Sequence, residues 1–162
     1  MGKHPSLNRQ YGNYIIMFDF DGTLTRGGVP LQPTLAKLLI SSCIDAGCII
    51  TTNTNRPLAR PPEMLWSLKY PFSSYYGNAR SWLGFPRIGF FRDWLLGEEY
   101  ISKVENMRQA SLYHGRTPIL IDDNANTVRR VREKGWIAFH VGPCGIDQEL
   151  IRRVRAIVDP LP

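Results

Sequence analysis

Four carboxylate residues follow apolar segments of this chain, at points where strands of a buried sheet would end. They are Asp19, Asp21, Asp122 and Asp123. Carboxylates that crowd together repel one another, and each one is costly to remove from water unless it is paired. A hard divalent cation resolves this conflict, and oxygen ligands suit Mg²⁺, which also shares its ligands with phosphate groups. The four residues therefore predict a Mg²⁺ site that handles phosphate.

The elements that must position these carboxylates are apolar strands that alternate with helical patterns. Strands are predicted at 14–18, 48–51, 118–121 and 136–141. Helices are predicted at 31–46, 62–68, 98–109, 126–134 and 146–158. Strands that are apolar on both faces and separated by helices form a parallel sheet covered on both sides. We therefore expect an α/β fold with three α/β/α layers in a single domain, residues 1–162, and ligands at the carboxyl ends of the strands.

The size and composition of the chain are those of one globular domain. Its 162 residues, 43% of them hydrophobic, are enough to bury a core without disulfides. The three cysteines have no CxxC spacing, which predicts free thiols and a reducing, cytoplasmic compartment. Residues 1–13 form a polar, basic tail without the apolar region of a secretory signal, and no apolar run reaches the ~18 residues of a membrane helix. We therefore expect no membrane partner.

The motifs around these residues resemble the signatures of the haloacid dehalogenase (HAD) superfamily, in its phosphatase form. Residues 17–25, MFDFDGTLT, are similar to the first signature, DxDGT. Thr52 and Asn53, after an apolar segment, look like the second signature. Lys103 stands where the lysine of the third would be, and residues 119–123 resemble the adjacent-acid version of the fourth. The order and spacing of the four make the likeness specific, and it implies a Rossmann-like, HAD-like sheet.

The resemblance implies a chemical role for each carboxylate. Asp19 is expected to attack phosphorus and form an aspartyl phosphate. Asp21 is expected to protonate the leaving oxygen and then to activate water. The expected Mg²⁺ ligands are Asp19, Asp122, Asp123 and the backbone carbonyl of Asp21. The resemblance thus predicts a Mg²⁺-dependent phosphoric monoester hydrolase.

The phosphate-binding residues implied by the same signatures are Thr52, Asn53 and Lys103, which would neutralise charge in the transition state. Thr51 is an alternative to Thr52, because the sequence does not fix the strand end to one residue. Arg56 or Arg92 is an alternative source of the cation.

The spacing of the signatures leaves no room for a large cap domain, which in this superfamily usually closes over small substrates. Only residues 26–30 separate the first signature from the next helix, and the stretch between Thr52 and Lys103 holds at most a small insert. An open site suits a large substrate, or a small one that a partner subunit encloses. The sequence leaves both a monomer and a homo-oligomer open.

The irregular segment 57–93 is rich in aromatic and basic residues, and the chain carries a net charge of +6. Aromatic faces stack bases and arginines hold phosphates, which predicts a nucleic-acid platform that includes Arg56, Arg80 and Arg92. The same aromatic residues are also compatible with core and dimer contacts. Residues 121–141 resemble, more loosely, the phosphatase domain of phage-type polynucleotide kinase/phosphatases, which implies removal of a 3′-phosphate from a nucleic-acid end.

Two other functions compete with this interpretation. One is a small-molecule phosphatase, such as a nucleotidase, whose site is closed by oligomerisation. The other is a non-catalytic binding module on a HAD fold, against which the intact set of four carboxylates argues.

Overall fold

The computed structural model of the protein describes residues 13–55, 70–77 and 93–159. The predicted helix at 62–68 and the candidate substrate residues Arg56, Arg80 and Arg92 lie outside these ranges. Most of the aromatic and basic segment also lies outside these ranges, as does most of the N-terminal tail.

Strands and helices alternate along the described residues, as the sequence predicts. The strands are β1 (Tyr14–Phe18), β2 (Thr25–Arg26), β3 (Val29–Pro30), β4 (Ile49–Asn53), β5 (Ser74–Tyr76), β6 (Thr117–Asp122) and β7 (Ile137–His140). The helices are α1 (Pro33–Asp45), α2 (Glu99–His114), α3 (Ala125–Glu133) and α4 (Gln148–Val158). The predicted α/β class is confirmed.

Five of the strands form one parallel sheet in the order β5-β4-β1-β6-β7. The central strand is β1, whose Phe18 aligns with Thr52 of β4 on one side and with Ile121 of β6 on the other. The chain first adds β4 and β5 on one side of β1, and then crosses to β6 and β7 on the other. In parallel sheets ligands bind outside the carboxyl ends of the strands, where the strand order reverses. This arrangement is compatible with a Rossmann-like fold.

Helices cover both faces of the sheet, so the predicted three layers are present. Ile16 and Phe18 of β1 pack in an apolar cluster with residues of α1 and α4. Ile15 and Met17 pack on the other face in a second cluster with residues of α2 and α3. Because side chains alternate along a strand, the residue two positions after Met17 continues the face covered by α2. That residue is Asp19.

The connections place two further features near the carboxyl end of β1. Residues 19–32, between β1 and α1, hold a turn and the antiparallel hairpin of β2 and β3, so no domain is inserted there. After β6 the chain turns at once into α3, because the side chain of Asn124 caps this helix by accepting a hydrogen bond from the backbone N–H of Thr127 at 3.1 Å. The acidic pair at 122–123 is therefore held between a strand and a capped helix.

Several predicted boundaries need correction. The helices α1 and α4 each begin two residues later than predicted, at Pro33 and Gln148. The second strand runs from Ile49 to Asn53 instead of 48–51, because its polar end pairs with both β1 and β5. The helix predicted at 98–109 runs on to His114 and stops at Gly115, which adopts the left-handed conformation that favours glycine. Among the described residues, no helix combines the length and the apolar character that crossing a membrane requires.

Candidate active site

Three carboxyl groups converge where β1 and β6 end. Asp19 follows β1, and its backbone N–H donates to the carbonyl of Ile121 at 2.9 Å. Asp122 is the last residue of β6, and Asp123 follows it. One carboxylate oxygen from each of the three aspartates lies within 4.8 Å of the other two. Since Asp19 is 6% exposed and Asp122 is fully buried, their charges are largely removed from water.

The buried ammonium group of Lys103, on α2, bridges two of these carboxylates. Its Nζ lies 2.9 Å from Oδ1 of Asp19 and also donates to Oδ2 of Asp122. The other oxygen of Asp122 accepts the backbone N–H of Asn124 at 2.8 Å. One ammonium group thus faces three carboxyl groups, and the cluster carries an excess of negative charge.

Burial and neighbouring charges shift the pKa values of Asp19 and Lys103. A bound cation would offset the repulsion among the carboxylates that contributes to these shifts. Burial raises the pKa of Asp19 well above its usual value; the ammonium group of Lys103 opposes this, while Asp122 and Asp123 add to it. Burial lowers the pKa of Lys103, but the carboxylates of Asp122 and Asp19 outweigh burial and raise it overall. A divalent cation bound here competes with protons for the carboxyl group of Asp19, so its affinity should fall as the pH falls.

The close approach of the acidic pair to the turn after β1 depends on Gly22. Its φ is +83°, a conformation that side chains other than glycine rarely adopt. A Cβ atom at this position would lie 2.1 Å from Oδ2 of Asp123. The absence of a side chain at residue 22 is therefore what lets the carboxylate of Asp123 reach the cluster.

A pair of buried amides holds α2 against β4 behind the cluster. Nδ2 of Asn53 donates to the backbone carbonyl of Lys103 at 3.0 Å. Nδ2 of Asn106 donates to Oδ1 of Asn53 at 3.0 Å and to the carbonyl of Gly77 at 2.6 Å. Asn53, expected to bind phosphate, thus positions the turn of α2 that carries Lys103. The role of Asn106 was not predictable from the sequence, since one amide in a helical pattern gives no signal.

The threonines of β4 are distributed along the strand and past its end. Thr52 lies inside the strand, and its hydroxyl accepts the backbone N–H of Tyr76 at 3.2 Å. Thr51 is buried, and its hydroxyl has no hydrogen-bond partner among the described residues. The residues that leave the carboxyl end of the strand are Thr54 and Asn55, both buried. The repeated Thr-Asn pair at 52–55 is the signal that could have identified them.

Asp21 lies at the rim of the site and stands outside the converging group. Its side chain is exposed, and its backbone forms a bridge with Thr25. The three acids that converge are those at 19, 122 and 123. The acid–base role expected for Asp21 stays a prediction, as does the role of its carbonyl as a metal ligand.

Three further polar side chains, which were not predicted from the sequence, lie near the acidic cluster. Glu99 begins α2 one turn before Lys103, and burial raises its pKa; Lys103 opposes this, and Asp122 and Asp123 add to it. Asn55 donates to Oε1 of Glu99 at 3.4 Å. His140, at the end of β7, contacts the backbone carbonyl of Asp123 through Nε2 at 3.0 Å. These groups extend the site along the carboxyl edge of the sheet.

The predicted aromatic platform is only partly described, and most of its described rings belong to the core. Tyr70 is 6% exposed, and Phe72 packs against the apolar cluster of α1 and α4. Phe72 makes ring contacts with Phe18, Tyr70 and Tyr75. Of this group Tyr75 is the more exposed, at 38%. For these residues the core interpretation is the one that the packing supports.

Comparison of the chain with protein-family models and with curated proteins gives no match.

Replacing Gly22 with alanine should disrupt the acidic cluster, and Gly135→Ala is the matched control. Both glycines have nearly the same φ, +83° and +86°, but a Cβ at residue 135 has nothing within 4 Å. The left-handed conformation should cost each variant roughly 1–2 kcal/mol of folding free energy. Only Gly22→Ala should also weaken Mg²⁺ binding, because Asp123 has to move. Chemical denaturation and Mg²⁺ titration calorimetry measure the two effects, and equal Mg²⁺ affinities would contradict the assignment.

Replacing Lys103 with methionine should destabilise the protein by about 3–5 kcal/mol, since it leaves buried carboxylates without a counter-charge. The control is Lys37→Met on the exposed side of α1, which should change stability by less than about 0.5 kcal/mol. Because Mg²⁺ can replace part of the lost charge, it should raise the melting temperature of Lys103→Met more than that of the wild type. A loss of folding stability in Lys103→Met no larger than that in Lys37→Met would show that Lys103 does not neutralise the cluster.

Proposed function

We propose that the protein is a Mg²⁺-dependent phosphoric monoester hydrolase that forms an aspartyl phosphate on Asp19. The observation that carries the proposal is the convergence of Asp19, Asp122, Asp123 and Lys103 at the carboxyl ends of β1 and β6. The resemblance to the HAD signatures supports the proposal, because it implies an aspartate or a lysine at each of these four positions. The five-stranded parallel sheet is compatible with that assignment.

The residues present fit a magnesium ion. Asp19 and Asp123 offer carboxylate oxygens beside the excess negative charge, and Asp122 contributes a third carboxylate. With the backbone carbonyl of Asp21, these are the groups that would hold the ion. Bound there, Mg²⁺ would supply the positive charge that keeps the carboxylates ionised and offsets the charge of a phosphoryl group.

The first chemical step is attack by a carboxylate oxygen of Asp19 on phosphorus. Lys103 holds Oδ1 of Asp19 at 2.9 Å, which fixes the orientation of the nucleophile, and its charge favours the developing transition state. As the phosphorus–oxygen bond breaks, Asp21 gives its proton to the leaving oxygen. Asp21 is exposed and so is accessible to a leaving group that enters from solvent.

The second step returns the enzyme to its starting state. A water molecule gives a proton to Asp21 and attacks the phosphorus of the aspartyl phosphate, which releases phosphate and frees Asp19. The resemblance assigns contacts with the phosphoryl oxygens to Thr52 and Asn53, but the side-chain amide of Asn53 already bonds Lys103 and Asn106. We add Thr54, because it leaves the carboxyl end of β4 on the edge of the sheet where Asp19 lies.

For the substrate, we propose a 3′-phosphate at a nucleic-acid end. The net charge of +6 supports a polyanionic substrate, and the hairpin between β1 and α1 leaves that side of the site without a cap domain. The looser resemblance of residues 121–141 to the phosphatase domain of phage-type polynucleotide kinase/phosphatases also supports a 3′-phosphate substrate.

A second candidate, a phosphatase of small molecules such as mononucleotides, is favoured by one observation. Tyr70 and Phe72 are part of the core, which removes two rings from the aromatic surface that would stack bases. The two candidates share the chemistry of Asp19 and differ only in what binds beyond the phosphate.

Asp19→Asn should lower hydrolysis of p-nitrophenyl phosphate by about 10³-fold or more, because the amide is not a nucleophile. Asp21→Asn should slow turnover by about 10²–10⁴-fold and leave Mg²⁺ binding near that of the wild type. The control is Asp147→Asn, at the exposed N-cap of α4, where asparagine caps equally well and activity should not change. Steady-state kinetics with and without Mg²⁺ measure these effects. Full activity of Asp19→Asn would refute the assignment of Asp19 as the nucleophile. No Mg²⁺-dependent activity in the wild type would refute the phosphatase itself and leave a binding module.

One oligonucleotide carrying either a 3′- or a 5′-terminal phosphate separates the substrate candidates. We expect kcat/KM for the 3′-phosphate to exceed that for the 5′-phosphate and for mononucleotides by about tenfold or more, equivalent to about 1.4 kcal/mol of transition-state binding. Phosphate release measures the three rates. Faster turnover of mononucleotides would refute the nucleic-acid substrate and leave the phosphatase chemistry intact.

A further inference from the structure

A pair of cysteines meets where α1 ends and β4 begins, at the opposite end of β4 from the acidic cluster. The helix ends at a turn in which the backbone N–H of Gly47 donates to Ile44 at 2.8 Å and that of Cys48 donates to Cys43 at 2.9 Å. Gly47 has a φ of +81°. These two hydrogen bonds and the left-handed glycine define a Schellman motif. In that motif the side chains of the two residues joined by the outer hydrogen bond contact each other, and here both are cysteine.

The two thiols are buried in contact with each other. Cys43 is fully buried, and Cys48 is 8% exposed. The contact with the Cys48 thiol and burial raise the pKa of Cys43, while the contact with the Cys43 thiol lowers the pKa of Cys48. The guanidinium group of Arg116 also lowers the pKa of Cys48, and its Nη1 donates to the carbonyl of Gly47 at 2.9 Å. Cys48 is therefore the thiol that more readily becomes a thiolate, and it is the one that solvent reaches.

We propose that Cys43 and Cys48 are a modification site, where hydrogen peroxide or a comparable two-electron oxidant produces a reversible intramolecular disulfide. The thiolate of Cys48 attacks one oxygen of the peroxide, the O–O bond breaks, and Cys48 becomes a sulfenic acid as hydroxide leaves. The sulfur of Cys43 then attacks the sulfur of Cys48, and the S–O bond breaks. The hydroxyl group leaves as water with the proton of Cys43. In total the two thiols give up two electrons and two protons, and the peroxide becomes two water molecules.

The backbone already holds the two residues in place for this bond. A disulfide requires that two Cβ atoms approach closely, and cysteines that point apart cannot be joined without backbone movement. The backbone hydrogen bond between Cys48 and Cys43, together with the contact between their thiols, brings the two residues together before oxidation. The third cysteine, Cys144, is exposed and serves as an internal reference. The proposal does not depend on the phosphatase chemistry, because no residue of the acidic cluster takes part.

The test is the thiol–disulfide equilibrium of the Cys144→Ser variant with reduced and oxidised glutathione, in native buffer and in urea. If the fold preorganises the pair, the equilibrium constant for the Cys43–Cys48 disulfide should be about tenfold or more higher in native buffer than in urea. Mass spectrometry of proteolytic peptides identifies the bond. An equal or lower constant in native buffer would refute the proposal, because the fold would then not favour the bond.

Trapping of the intermediate gives a second readout on the reaction with peroxide. In Cys43→Ser, the sulfenic acid on Cys48 has no thiol to resolve it, so dimedone should label Cys48. In the wild-type chain, which retains Cys43, dimedone labelling of Cys48 should be at least about tenfold lower, and the disulfide should appear instead. If Cys43→Ser does not fold, the same comparison is made with the unchanged chain alone, in which a disulfide between Cys43 and Cys48 must appear and be reversed by dithiothreitol. Oxidation that stops at Cys144 and leaves this pair reduced would refute the proposal.

Discussion

The ion pairs of Lys103 with Asp19 and Asp122 are the interaction on which the arrangement of the site depends. Removing each of these charges from water costs several kcal/mol, which their mutual attraction repays only when the geometry is good. Here the compensation is incomplete, because Asp123 brings a third carboxyl group and burial raises the pKa of Asp19. A buried network with more negative than positive charge contributes poorly to stability. It is well suited to receive a cation, and this mismatch is the physical basis for proposing metal-assisted chemistry at the site.

The surrounding structure serves to keep Lys103 in place. Its side chain reaches the cluster from α2, and α2 is tied to β4 by the amides of Asn53 and Asn106. Both amides are buried, so each lost hydrogen bond would leave an unsatisfied polar group and carry a large penalty. On the other side of the cluster, Gly22 leaves the space that Asp123 occupies. The position of each charge is thus set by a different element, and the elements meet only in the folded sheet.

The strands that position the site were predictable where they are continuously apolar, and less so where they are polar. The sequence predicts β1 with its observed bounds and β6 within one residue of each end, because burial on both faces requires apolar residues throughout. It misplaces the end of β4, since Thr51, Thr52 and Asn53 have the polarity of a loop and become strand only through pairing with neighbouring strands. The carboxylates were recognisable from their motifs. The support from Asn106 was not, because a contact between residues 53 positions apart leaves no local pattern.

The pairing register of β1 with β6 fixes which side of the sheet Asp19 faces. Phe18 aligns with Ile121, and the backbone of Asp19 extends that ladder by one more hydrogen bond. Because the pleat repeats every two residues, a shift of one position would turn Asp19 toward α1 and carry it away from the ammonium group on α2. The number of residues in β1 therefore determines the face on which Asp19 lies. Inserting or deleting one apolar residue within the strand would leave it equally hydrophobic but would separate Asp19 from Lys103.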